Sequence, residues 1–274
     1  MYRLTLAFSL TLIGCGVDTP NEPLVLTAPA PTADMQATAR LDLRPALSDE
    51  AAPVGISIAP DTGELLVIDA WQGVFRQVDG EFSLAVTPEA LTPVEMWDMR
   101  PYTDVAALPN GQLAITVRSD GLLYRPDEGV TRQHFCYEPD DGGDWTEQYQ
   151  LTDSLTYEPT NGRLYATPQT FEGDTPLDAF AAQFDAAGGS PLGFDALDDP
   201  RYRFGAVVAV APNELVVAQG SVLLDYTAGE GLSPRVDLAS FGIRDVQGMT
   251  LDPATGNLLV LDGAGLEIVT FTHW

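Results

Sequence analysis

VQGMTLDPATGNLLVLD, residues 246–262, reads as two β-strands folded back on one tight turn. Met249 and Leu251 alternate with Gly248 and Thr250, the period of two that a half-buried strand requires. The second run opens on Leu258, and Thr255-Gly256 between the runs supplies the turn residues of a hairpin. The same unit stands at four other places: VGISIAPDTGELLVID (54–69), DVAALPNGQLAITV (104–117), DSLTYEPTNGRLYAT (153–167) and AVVAVAPNELVVAQ (206–219). In each, a proline (Pro60, Pro109, Pro159 or Pro212, matching Pro253) precedes a second run that begins at Leu65, Leu113, Leu164 or Leu215. A spacing of roughly four to five dozen residues between such units is that of propeller blades, each a four-stranded sheet.

Further strands follow each hairpin. Third strands are expected at Val74–Val78, Leu122–Arg125, Phe180–Phe184, Val222–Tyr226 and Leu266–Phe271, and fourth strands at Phe82–Val86, Thr131–Cys136, Pro191–Phe194 and Arg235–Leu238. The last repeat has no fourth strand of its own. Arg40-Leu41-Asp42-Leu43 mimics Arg235-Val236-Asp237-Leu238, so the N-terminal strand is expected to complete it and remove the open sheet edge. No long segment of helical period follows residue 40. The fold class is therefore all-β, a β-propeller of about five four-stranded blades closed by an N-terminal strand, with 85–103 and 168–203 long enough to hold a sixth.

The chain begins MYRLTLAFSLTLIGCG. An apolar run from Leu4 to Ile13 is too short to cross a bilayer as a stable helix and reads as a removable signal. Leu12-Ile13-Gly14-Cys15 resembles the lipobox of bacterial lipoproteins, which implies cleavage before Cys15 and lipidation of that residue. Gly16 stands where inner-membrane retention uses Asp, so the resemblance implies a lipid anchor in the outer membrane of the cell envelope. The expected organisation is a signal peptide over 1–14, the lipidated Cys15 with a Pro/Thr/Ala-rich tether to residue 38, and the propeller over 39–274. The other cysteine, Cys136, then has no intrachain partner, and its apolar neighbours predict a buried thiol.

Composition narrows the chemistry. Asp and Glu number 40 against 13 basic residues, all of them Arg. Absence of Lys excludes Schiff-base and P-loop lysine chemistry. A formal charge of −27 repels nucleic acid and anionic lipid, so no nucleic-acid partner is expected and the membrane is met through the lipid alone. HExxH, CxxC, GxSxG and Walker motifs are absent, and His134 and His273 lie on an outer strand and at the extreme terminus, which argues against a His-dependent triad.

The units DSLTYEPTNGRLYAT and VQGMTLDPATGNLLVLD resemble blades of the NHL, YWTD and gluconolactonase-like propellers, and of the esterase-like exported propellers. That group holds binding scaffolds, lactonases and phosphoesterases, so the resemblance implies architecture and leaves activity open. Its gluconolactonase-like members imply a channel metal held by Glu, Asn and Asp. The first repeat here starts Pro53-Val54-Gly55, without a Glu at that place.

Hairpin geometry puts the tight turns on one rim and the long connections 87–103, 137–152, 168–178 and 195–203 on the other, where binding residues concentrate. On that rim Asp69, Asp104, Asp153, Asp245 and Asp262, with Gln247, are expected near the channel. Converging carboxylates would raise one another's pKa or bind Ca²⁺ or another divalent cation; the alternative is that each Asp caps a strand end. EPDDGGDW (138–145) lacks the alternating spacing and terminal Glu of an EF-hand. Trp71, Trp97 and Trp145, beside Tyr102, Tyr149, Phe171 and Tyr202, suit a sugar, a cationic ligand or a protein surface; the alternative is that they pack the long loops against the propeller. A monomeric binding or scaffold domain is the first expectation, and a metal-assisted hydrolase of the lactonase or phosphoesterase kind the second.

Overall fold

The computed structural model describes residues 26–48, 50–92, 101–117, 120–133, 148–172, 175–187 and 191–274. Strand β1 (Gln36–Asp42) comes first and joins the last sheet. Blade 1 is β2 (Pro53–Ile58), β3 (Leu65–Asp69), β4 (Gly73–Val78) and β5 (Glu81–Val86). Blade 2 is β6 (Asp104–Ala107), β7 (Leu113–Val117), β8 (Asp120–Arg125) and β9 (Gly129–Gln133). Blade 3 is β10 (Gln148–Glu158), β11 (Arg163–Glu172), β12 (Thr175–Asp185) and β13 (Pro191–Ala196). Blade 4 is β14 (Ala206–Ala211), β15 (Glu214–Gln219), β16 (Val222–Thr227) and β17 (Gly231–Asp237). Blade 5 is β18 (Val246–Leu251), β19 (Leu258–Asp262) and β20 (Glu267–Thr272), with β1 outermost.

The first strands form a closed ring. β2 lies against β6, β6 against β10, β10 against β14, β14 against β18, and β18 returns to β2. This is a five-bladed β-propeller. Closure comes from β1, which runs antiparallel to β20 with Arg40 opposite Val269 and Asp42 opposite Glu267. The Arg40 guanidinium pins that pairing by bonding both the Glu267 carboxylate and the Phe241 carbonyl.

Three sequence expectations change. The closing strand starts at Gln36, and the segment before it is not a tether that packs on nothing. Leu26 and Ala28 lie on the blade 4 core, Met35 is buried among blade 4 and 5 side chains, and the Asp237 N–H donates to the Pro29 carbonyl at 3.0 Å. Apolar side chains at those three positions outweigh the proline-rich composition around them. Segments 148–152 and 168–178, expected as loops, belong largely to the strands of blade 3, in which Gln150 faces Thr170 and Thr170 faces Asp178. Residues 168–203 therefore hold blade 3 and its exit rather than a sixth blade, and the described residues form five sheets. The signal, Cys15, Cys136 and His134 lie outside the described residues, and β9 is described to Gln133.

Each blade's first strand is a sheet edge turned towards the channel, so its free N–H groups need acceptors from the preceding blade. Side chains provide them. The Ala107 N–H donates to Ser57 Oγ at 2.9 Å, the Ile58 N–H to Thr250 Oγ1 at 3.3 Å, and the Leu155 N–H to Asp104 Oδ2 at 2.8 Å. Small residues let these strands approach. Gly55, Asp104, Ser154, Ala206 and Gly248 hold one register, each three residues before the partner of the second strand's opening Leu. A Cβ on Gly248 would stand 2.8 Å from the Ile56 nitrogen, and one on Gly55 would stand 2.1 Å from Asp104 Oδ1. This layer is the waist of the channel, and the Asp104 side chain fills it.

Candidate functional site

One residue before the waist, Val54, Thr103, Asp153, Gly205 and Gln247 stand in or immediately before the five first strands, and all five line one open cavity of about 490 Å³. The connections above add Trp71, Tyr102, Arg203 and Asp245. This cavity is the channel mouth on the rim away from the tight turns. Its charged and amide side chains come in two pairs. Arg203 Nε donates to Asp153 Oδ2 at 2.5 Å, bridging blades 3 and 4, and Gln247 Nε2 donates to Asp245 Oδ2 at 2.7 Å within blade 5. Trp71 is 50% exposed at the lip.

The remaining aspartates do something different. Asp69, Asp104 and Asp262 are buried and accept backbone N–H bonds. Asp69 Oδ1 accepts from Trp71 and Gln72, both at 2.9 Å, and its Oδ2 accepts from Ala52 at 2.6 Å. This Asx-type turn fixes the backbone that carries Trp71 into the mouth. Asp262 Oδ1 accepts from Asp245 at 3.1 Å and Arg244 at 3.4 Å, which fixes the Asp245 loop. Asp104 accepts from Val105 at 2.8 Å and from Leu155, two residues beyond Asp153. Burial pushes the Asp104 carboxyl well above its usual value, and the two N–H bonds only partly offset that.

The predicted acidic set thus divides. Asp153, Asp245 and Gln247 meet at the mouth, with Trp71 beside them. Asp69, Asp104 and Asp262 lie beneath it as backbone acceptors, and the expected convergence of all five carboxylates is not formed. Among the described residues no three His, Cys, Asp or Glu side chains are grouped to hold a metal ion. Trp97 and Trp145 fall outside the described residues, as does the 138–145 loop. Tyr102 is buried, with its N–H donating to the Ala70 carbonyl at 3.1 Å, so it supports the lip. Tyr202 stacks on Phe204 at 5.5 Å and is not among the mouth residues.

Arg203 is the mouth residue that sequence reasoning passed over. Its signal was positional: it stands two residues before Gly205, the blade 4 register equivalent of Thr103 and Asp153, in the connection that enters β14. A charge opposite in sign to the chain's surplus at such a place marks an ion pair between neighbouring blades.

No protein-family model and no curated protein matches the sequence. Solved structures show a distant likeness. An extracellular domain of a hybrid two-component system from B. thetaiotaomicron matches with a TM-score of 0.47 at 10% identity, over 81% of this chain and 27% of that one. Virginiamycin B lyase from Staphylococcus aureus matches with a TM-score of 0.46 at 11% identity, over 83% of this chain and 68% of that one. The WD40 repeats of RRP9 match with a TM-score of 0.43 at 11% identity, over 90% and 99%. The chain spans about a quarter of the first of these.

Proposed function

We propose that this propeller is a binding domain, carried in the cell envelope by a lipid on Cys15, and that the channel mouth is its working surface for a small polar ligand of the sugar class. The observation that carries the reading is the convergence of all five blades on one open cavity with fixed donors and acceptors beside an exposed indole. Arg203 and Gln247 offer N–H donors, Asp153 and Asp245 offer acceptors, and Trp71 offers an apolar face. Hydroxyl groups flanking a sugar ring's apolar C–H face match that set. Anions are disfavoured by the chain's net charge of −27. The two mouth carboxylates each have a side-chain partner, Arg203 or Gln247, which holds them as acceptors for ligand hydroxyls.

The test is a glycan array probed with the full chain, followed by titration of any hit against Trp71→Ala and Asp245→Ala. Loss of binding in both variants at unchanged melting temperature is expected. A hit that binds both variants as it binds the parent, or an array without any hit, would overturn the assignment.

A further inference from the structure

We propose a second binding site, for a small uncharged aromatic hydroxyl compound, in the seam between blades 1 and 2. A cavity of about 430 Å³ lies there, bounded at one end by the turns at Asp61–Thr62 and Asn110–Gln112, and it shares no residue with the channel mouth. That volume is within the range of small-molecule pockets, roughly 300–1,000 Å³.

The chain's own repeat shows what fits such a seam. Leu66 of blade 1 and Tyr165 of blade 3 are register equivalents, each following the opening Leu of its strand and pairing with Ser57 or Thr156. Tyr165 is 1% exposed and fills the seam between blades 3 and 4, where its phenol oxygen accepts from the Asn213 N–H and from Asn161 Nδ2, both at 3.1 Å. Asn110 is the blade 2 counterpart of Asn213. Both follow the turn proline, with φ of 62° and 64°. Leu66 is a ring shorter than Tyr165, and Ala85 and Ala107 add little bulk, so the space that a phenol ring fills in one seam is open in the other.

The polar end of the open seam differs in one respect that sets the ligand. There the Asn110 N–H is already taken by the Asp61 carboxylate. The charged group at this end is therefore an acceptor, the Asp61 carboxylate, and a ligand hydroxyl suits it by donating its proton. The walls are apolar, with Leu66, Val74 and Leu113 buried and continuous with the seam core and Tyr124 packed beside them. Glu64 at the edge is 3.5 Å from Arg76, which lines the same cavity, and with Asp61 the two carboxylates outnumber that one guanidinium, so the lip disfavours an anionic ligand.

The probe is 2-naphthol, titrated into the full chain by its own fluorescence. Saturable one-to-one binding is expected, weakened at least about tenfold by Leu66→Tyr, which supplies the missing ring, and equally by Ala85→Phe at the exposed lip. Naphthalene and naphthalene-2-sulfonate should each bind at least about tenfold more weakly than 2-naphthol, and Arg203→Ala at the mouth should bind it as the parent does. The proposal is overturned if 2-naphthol does not bind saturably, if both seam variants bind it as the parent does, if naphthalene binds equally well, or if Arg203→Ala abolishes binding.

Discussion

The channel waist and the channel mouth use the same residue type in opposite ways. At the waist and just above it, Asp69, Asp104 and Asp262 are shielded from water and their oxygens accept backbone N–H groups. At the mouth, Asp153 and Asp245 face the cavity and their oxygens meet the side chains of Arg203 and Gln247. The two layers are coupled, because each buried carboxylate holds a stretch of backbone that bears a mouth residue. An aspartate next to a propeller channel is therefore a positioning group when its acceptors are filled by backbone, and a contact group when they are filled by movable side chains. That difference predicts separate effects on stability and on binding.

The largest loss of stability is expected from Asp69→Ala. It strands the N–H groups of Ala52, Trp71 and Gln72 in a partly buried turn, at a cost of about 3 kcal/mol for the three bonds together. Urea unfolding measures it. Asp262→Ala, with two longer bonds, should cost less. If Asp69→Ala unfolds at the parental midpoint, the buried set is not structural and the distinction between waist and mouth collapses.

Next in size is Gly248→Ala, which sharpens the account of the waist. The added methyl would lie 2.8 Å from the Ile56 nitrogen and 3.0 Å from the Gly55 Cα, and backbone cannot move aside as a side-chain tip can. Overpacking of this kind costs about 1–3 kcal/mol. Gly193→Ala, whose added methyl would meet nothing within 4 Å, is the control and should stay near the parent.

Asp104 gives a pH signature rather than a simple loss. Its folded-state carboxyl binds its proton more tightly than the unfolded chain's, because burial raises it above the ordinary 3.8. Between those two values the native state holds a proton that the unfolded state has released, so this group's contribution to stability falls as pH rises through the window. Below the ordinary value both states are protonated and the contribution is complete. Asp104→Asn cannot ionise and should lack that decline. Parallel stability-versus-pH curves for the two proteins would show that Asp104 is not the buried acid described here.

Much of this architecture was legible in the sequence. Five Leu-opened hairpins gave the blade count, and Arg40–Leu43 gave the closing strand, because strand alternation and turn residues are local signals. Packing of Leu26, Ala28 and Met35 was hidden, since isolated apolar residues in a proline-rich stretch carry no period. The long strands of blade 3 were hidden too, as Pro168 and the turn-like residues 173–178 read as a loop when no partner strand is visible. The division among the aspartates depended on which N–H groups point at them, and five similar Asp residues at strand ends look alike until the turns are built. Tyr165 against Leu66 was written in the aligned repeats, but only the closed seams show that one ring fills what the other leaves open.

The smallest stability effect, and the sharpest test of the comparison, belongs to the mouth. Asp153→Asn and Asp245→Asn should each change unfolding free energy by less than about 0.5 kcal/mol. The Arg203 side chain is 60% exposed and that of Asp153 is 20% exposed, so water replaces much of what the pair supplies, and screening weakens it further. The Asp245–Gln247 bond joins two residues of one blade, and an amide in place of the carboxylate can still accept from Gln247. Neither variant strands backbone donors, whereas Asp69→Ala strands three partly buried ones. Binding is the quantity that should move, because the acceptors facing the cavity lose their charge while the fold keeps its shape. If Asp245→Asn destabilises the domain as much as Asp69→Ala does, then mouth and waist are one structural unit, and the cavity is a by-product of packing rather than a working surface.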